Sequence, residues 1–321
     1  MEYYCTLFNQ FYLARGLIMI ESLFAHSPNS VIYVFALDDP TYQYLNTLNN
    51  EHIIPISLKD FEDEELLKVK PNRTIAEYCW TVTSSTLLYL FEKFKIPQCT
   101  YLDSDLYFYH SPEILIHELP YNKSVLLTEH RYTPKYDTSE KTGKFCVQFM
   151  TFKNNEEGIT ALKWWREKCI EWCFARFEDG KFGDQKYLDD WEQRFPFVYV
   201  LKHLGALAPW NIQQYDLQED NFVLHDSGKS IPLIFYHFHY VKFYHEFLEL
   251  GRYELSKEVL KEIYQPYIQK LLNKEKELPQ QLNVNGRTSY TITWKFPFVQ
   301  LKRRWKGVNY LFPWKKWNEL A

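Results

Sequence analysis

The first hundred residues alternate short β-branched or aromatic runs with longer helical patterns, which is the signal for strands joined by crossover helices. Strands are expected near 3–8, 31–37 and 52–57, and helices near 11–26, 40–49 and 75–94. The run Gln98-Cys-Thr-Tyr-Leu102 reads as a further buried strand. This rhythm predicts an α/β fold built on a Rossmann-like, doubly wound, mostly parallel sheet, whose ligands bind outside the carboxyl ends of the strands. More strands are expected near 124–128, 145–152 and 232–238. An amphipathic helix is expected near 154–178, with Leu162, Trp165 and Trp172 on its buried side. From about 252 the pattern is helical and rich in Lys and Glu, then basic and aromatic. The expected division is therefore 1–250 as the main domain and 251–321 as a helical extension with a basic-aromatic tail.

A chain of 321 residues buries a substantial core, and neither an internal repeat nor a low-complexity tract interrupts it. The start, Met1-Glu-Tyr-Tyr-Cys-Thr6, lacks a positive n-region and a long apolar run, and no segment approaches the 18 apolar residues of a membrane span. The expectation is folding in the cytoplasm with the six cysteines reduced. Cys169 and Cys173, four apart on the expected helix, are read as packed thiols rather than zinc ligands. Aromatic residues make up 18% of the chain, an excess that serves core filling, nucleobase pockets, sugar stacking and membrane surfaces equally well.

Glycine is scarce, at ten residues, and neither GxGxxG nor GxxxxGK[ST] occurs, so no phosphate-cradling loop is available. A nucleotide diphosphate bound here would need a cation held by carboxylates. The segment Thr100-Tyr-Leu-Asp-Ser-Asp-Leu-Tyr-Phe-Tyr109 supplies them, with Asp103 and Asp105 at the end of an apolar strand. In extended geometry residues two apart face the same side, so both carboxylates reach one Mg²⁺ or Mn²⁺.

Tyr101-Leu-Asp-Ser-Asp-Leu106 resembles the DxD segment of nucleotide-sugar glycosyltransferases of the GT-A fold, particularly the family 8 type that includes glycogenin and bacterial galactosyltransferases. Thr6-Leu-Phe-Asn-Gln-Phe-Tyr-Leu-Ala-Arg-Gly16 is similar to that family's first strand and helix. The resemblance implies that Phe8, Asn9 and Tyr12 line the nucleoside pocket, with Asn9 otherwise a helix cap. It groups Ser104 with the donor-binding residues, and Ala36-Leu-Asp-Asp39 implies that Asp38 reaches the ribose or base. Gly183-Asp-Gln-Lys-Tyr-Leu188 resembles the Asp-Gln helix start beside the donor sugar. Asp184 would then orient sugar hydroxyls and Gln185 sit near the anomeric carbon, Asp184 being otherwise an ordinary N-cap.

Ile234-Phe-Tyr-His-Phe-His-Tyr-Val-Lys242 resembles the family's HFxGxxK segment, which implies His237 or His239 as the remaining metal ligand and Lys242 as a diphosphate contact. Tyr240 stands where Gly is usual and Lys242 comes one residue early. Val147, Gln148 and Phe149 replace the usual Asn-x-Gly, so the identity of the sugar does not carry over.

Charge is divided along the chain. Residues 280–321 hold eight Lys/Arg against one acid, or +7, leaving 29 basic and 40 acidic residues, or -11, in the body. Trp294, Phe296, Phe298, Trp305, Tyr310, Phe312, Trp314 and Trp317 interleave with the basic residues. That combination suits an anionic membrane surface, or a tail packed on the fold, and an acidic body without a nucleic-acid motif argues against nucleic acid. The expected function is transfer of a hexose from a UDP-sugar, with Mn²⁺ or Mg²⁺, to a glycan or lipid-linked saccharide in cell-surface polysaccharide synthesis. The expected location is peripheral, at the inner face of the membrane. The alternatives are a non-catalytic membrane-surface scaffold and a sugar-phosphate nucleotidyltransferase.

Overall fold

Seven strands form the central sheet, in the order Ile53–Ser57, Val31–Ala36, Tyr3–Phe8, Gln98–Leu102, Phe145–Lys153, Val125–Glu129 and Val198–Val200. Phe145–Lys153 runs antiparallel to both neighbours and every other pairing is parallel. The computed structural model describes residues 1–225, 228–244, 247–282, 292–308 and 310–313. Arg287, Trp314, Lys315, Lys316 and Trp317 of the basic-aromatic tail lie outside the described residues.

The expected α/β architecture is the one found, and its local causes are visible. The helix Ile75–Phe94 starts at a capping box: Thr74 Oγ1 accepts the Glu77 N–H at 3.3 Å, and Glu77 Oε2 accepts the Thr74 N–H at 2.8 Å. Such a cap stabilises a helix by about 1 kcal/mol. The helix Glu156–Glu171 is capped by Asn155, which accepts the Gly158 N–H at 2.9 Å. Trp165 of that helix stacks within the core, its ring centroid 6.4 Å from Phe152 and 5.9 Å from Trp191.

Two expectations are corrected. The helix expected over 154–178 ends at Glu171, because Trp172 turns extended, at φ -155 and ψ 122. Trp172 is still buried, and Cys173 lies beyond the helix as a buried free thiol like Cys169. The strand expected over 232–238 is two pieces with different partners, Ser230–Pro232 and Phe235–His237. Pro232 has no N–H to donate, which confines it to the edge strand where it sits and ends the first piece.

The chain forms two compact units. Met1–Asn9, Ser27–Ser104 and Ser111–His203 make the first, which holds the seven-stranded sheet. Gln10–His26, Asp105–His110 and Leu204–Ala321 make the second. In the second unit Phe235–His237 lies between Leu106–Phe108, antiparallel, and Ala206–Leu207, parallel. The helix Leu13–His26 packs against Leu106–Phe108 and against the helix Gln265–Glu277, with Lys274 Nζ 2.6 Å from Glu21 Oε1. Among the described residues no helix is long and apolar enough to cross a membrane.

Candidate active site

Strand Gln98–Leu102 is paired along both edges, so its carboxyl end is held firmly, and the Asp103 N–H is still within the ladder, donating to the Gln148 carbonyl at 3.0 Å. Gln148 and Phe149 are fully buried in the neighbouring strand, at the place where the resemblance led to an Asn-x-Gly. Beyond Asp103 the chain is not extended: Ser104 and Asp105 form a turn that leads into Leu106–Phe108. Facing by residues two apart in a strand therefore does not describe this DxD.

In the second unit the register sets Leu106 opposite His237, and the Phe238 N–H donates to the Asp105 carbonyl at 2.9 Å. Those two pairings bring His237 Nε2 to 3.0 Å from Asp105 Oδ1, with both side chains largely buried. Burial pushes the Asp105 carboxyl up, but the His237 imidazole, then His239 and Arg15, override it and hold it down at about 2.

His239 is not on the strand with His237. The strand ends at His237, and His239 and Tyr240 form a turn. His239 sits beside His237 at 5.6 Å between ring centroids, and Trp210 lies against both, at 5.3 and 5.6 Å. Tyr240, which replaces the usual Gly, adopts φ +74, the left-handed region that glycine favours. Lys242 Nζ stands 4.6 Å from the Tyr240 ring centroid.

Two residues that sequence reasoning did not single out join this part of the second unit. Arg15 is buried, donates to the Val241 carbonyl at 3.0 Å and lies 4.7 Å over the Tyr12 ring. It falls inside the segment Thr6–Gly16 that carries the resemblance, and a lone Arg amid apolar helix residues was the available signal. Trp210 had no such signal, since nothing local separates it from the other tryptophans.

The first unit holds the remaining candidates. Asp184 is buried and makes no capping bond to the 3-10 turn Gln185–Leu188, so the plain N-cap account fails. Its main-chain carbonyl accepts the Trp165 indole N–H at 3.0 Å, which ties it to the core helix. Burial pushes its carboxyl up, the Asp103 charge adds to that, and the backbone N–H groups of Asp184 and Gln185 offset part, leaving it at about 8. Gln185 donates to the Thr142 carbonyl. Asp38 caps the helix Asp39–Thr47, accepting the Thr41 N–H at 2.9 Å. Phe8 closes the first strand in the core, with its carbonyl accepting the Leu37 N–H at 3.0 Å, and Asn9 follows it directly.

No protein-family model matches the chain. It is 34% identical over 275 residues to the uncharacterized protein YfnD of Bacillus subtilis (strain 168), which covers 83% of this chain and 87% of YfnD. To the uncharacterized protein YfnF of the same strain it is 32% identical over 246 residues, 73% of this chain and 80% of YfnF. Among solved structures, the galactosyltransferase LgtC in complex with donor and acceptor sugar analogs matches with a TM-score of 0.51, at 10% identity, over 87% of this chain and 98% of that one. That likeness shows the fold, an α/β arrangement of the GT-A glycosyltransferase type with a large, mostly parallel central sheet.

Proposed function

The chain belongs to the family of the Bacillus subtilis proteins YfnD and YfnF, and for a member built on this fold we propose metal-dependent hexosyl transfer of the family 8 type, from a UDP-sugar to a glycan or lipid-linked saccharide. The observation that carries the reading is the Asp105–His237 pair, a carboxylate and an imidazole 3.0 Å apart at the end of a DxD. Asp103, the other acid of the DxD, is the proposed third ligand, and a carboxylate and imidazole donor set of this kind fits Mn²⁺ and, with water filling further positions, Mg²⁺. Asp103, Asp105 and His237 would hold the ion, and it would supply positive charge where negative charge develops on the departing diphosphate.

The chain's own groups have these proposed parts. Phe8, Asn9, Tyr12 and Asp38 line the nucleoside, and Ser104 stands with them. Lys242 and the buried Arg15 add positive charge for the diphosphate. Asp184, holding its proton to about pH 8, donates a hydrogen bond to a hydroxyl of the donor sugar, and Gln185 sits by the anomeric carbon, whose configuration is retained. His239 backs His237. The work belongs to cell-surface polysaccharide synthesis on the cytoplasmic side, with the protein peripheral at the inner face of the membrane. Residues 1–250 carry the transferase and 251–321 the extension.

A thermal-shift titration tests this. UDP with Mn²⁺ or Mg²⁺ raises the melting temperature in a concentration-dependent way, by the equivalent of about 2.7 kcal/mol at a hundredfold excess over Kd, and UDP with chelator does not. Equal stabilisation in chelator would remove the metal from the proposal, and metal-dependent binding without donor hydrolysis would leave a non-catalytic scaffold.

A further inference from the structure

We infer that the helix Phe296–Trp305 is a membrane-insertion element held with its apolar side outward by Glu249, and that its partner is an anionic lipid surface. The inference rests on the peripheral location proposed above and names the side chains responsible.

Amphipathic helices of a folded protein normally turn their apolar stripe inward. This one is inverted. Phe296, Gln300 and Arg303, at i, i+4 and i+7, share one face, and that face is docked. Gln300 Nε2 donates to Glu249 Oε1 at 3.1 Å, and Arg303 pairs with the same carboxylate. Glu249 is buried and also accepts the Tyr244 O–H at 3.0 Å, while the Phe296 ring packs against Tyr244 at 5.0 Å between centroids. On the opposite face Phe298, Leu301 and Trp305 are 67%, 68% and 87% exposed, and Trp294, just before the helix, is 76% exposed. The polar side chains are thus spent on fixing the helix and the large apolar ones are left in water.

An exposed apolar patch of this kind marks an interaction surface. Charge selects the partner. Lys302 and Arg304 flank the apolar face on either side, Lys295 and Lys306 stand at its two ends, all four are exposed, and no acid interrupts 294–306. Tryptophan and phenylalanine seated among cations suit the headgroup boundary of a negatively charged bilayer. A second copy fits worse, because a two-fold contact would set the same cations against each other.

The test uses the full chain with vesicles of phosphatidylcholine alone and with added phosphatidylglycerol. Wild type is expected to co-sediment with the anionic vesicles and not the neutral ones, and brominated lipid should quench its tryptophan fluorescence. A triple variant, Phe298→Ser with Leu301→Ser and Trp305→Ser, is expected to bind at least about tenfold more weakly with an unchanged melting temperature and elution volume. A second variant, Lys302→Glu with Arg304→Glu, alters only exposed residues and is expected to lose the preference for anionic lipid. Undiminished binding by the triple variant would overturn the inference while leaving the peripheral location standing. Failure of wild type to bind anionic vesicles would end both. Vesicle-independent dimers dissolved by the triple variant would make the face a self-association surface and overturn the lipid assignment.

Discussion

Asp184 keeps its carboxyl buried within the field of the Asp103 carboxylate, and the two cannot both ionise without cost. Burial is the larger cause and the Asp103 charge the next, and together they raise Asp184 from an ordinary 3.8 to about 8.

A pH dependence follows with a definite sign. Between about pH 4 and pH 8 the folded chain holds a proton on Asp184 that the unfolded chain has released, so the Asp184 contribution makes stability fall as pH rises through that window and level off above it. Each pH unit inside the window is worth up to about 1.4 kcal/mol. Urea unfolding at pH 5, 6, 7 and 8 should show this slope in wild type and lose it in Asp184→Asn. Identical slopes in the two proteins would mean that Asp184 is ionised throughout.

Replacement of the ligand pair separates the two histidines. Asp105→Asn and His237→Ala are each expected to cut sugar transfer by about 100-fold or more, and His239→Ala by less than about tenfold. The reason is register, which sets His237 Nε2 at 3.0 Å from Asp105 Oδ1, while His239 follows on the turn beyond the strand. Single-turnover assays with Mn²⁺ make the comparison. A loss on His239→Ala equal to that on His237→Ala would move the ligand assignment.

Tyr240 and Gly251 are coupled by close packing. A Cβ on Gly251 would stand 2.9 Å from Tyr240 Cβ, and Gly251 itself has φ +100. Gly251→Ala is therefore expected to destabilise by about 1–3 kcal/mol, from strain and contact together. In a Tyr240→Gly background the contact disappears and only the strain remains, so the cost should shrink. A double-mutant cycle by urea unfolding reads the coupling, and strictly additive costs would show that the contact is relieved by adjustment.

Asp38 is tied to the helix it caps. Asp38→Ala should cost about 1 kcal/mol of stability through loss of the bond to Thr41. Asp38→Ser, which keeps a capping oxygen, should restore most of that stability. If Asp38 also contacts the nucleoside, UDP binding with Mn²⁺ will weaken in both variants, whereas a pure cap predicts unchanged UDP affinity in Asp38→Ser.

Much of the fold was legible because its signals are local. Tyr3–Phe8 and Gln98–Leu102 begin and end where their apolar runs do, and Ile75–Phe94 begins at a Thr-x-x-Glu box. The strand near the two histidines was legible only in part. Its hydrophobic run reads as continuous, and the break came from Pro232 at a sheet edge and from a change of partner after it.

Sequence alone determined the alternation of strands and helices, the absence of a glycine-rich phosphate loop, the pair of acids at the end of the fourth strand, and the basic-aromatic character of the tail. Each depends on neighbours within a few residues. Tertiary structure decided that His237 pairs with Asp105, that Asp184 is buried rather than a plain cap, that Arg15 and Trp210 stand with the histidine turn, and which face of Phe296–Trp305 meets water. Those outcomes depend on pairing register and on burial by segments far away in the chain, and the free energy that selects them belongs to the packed whole.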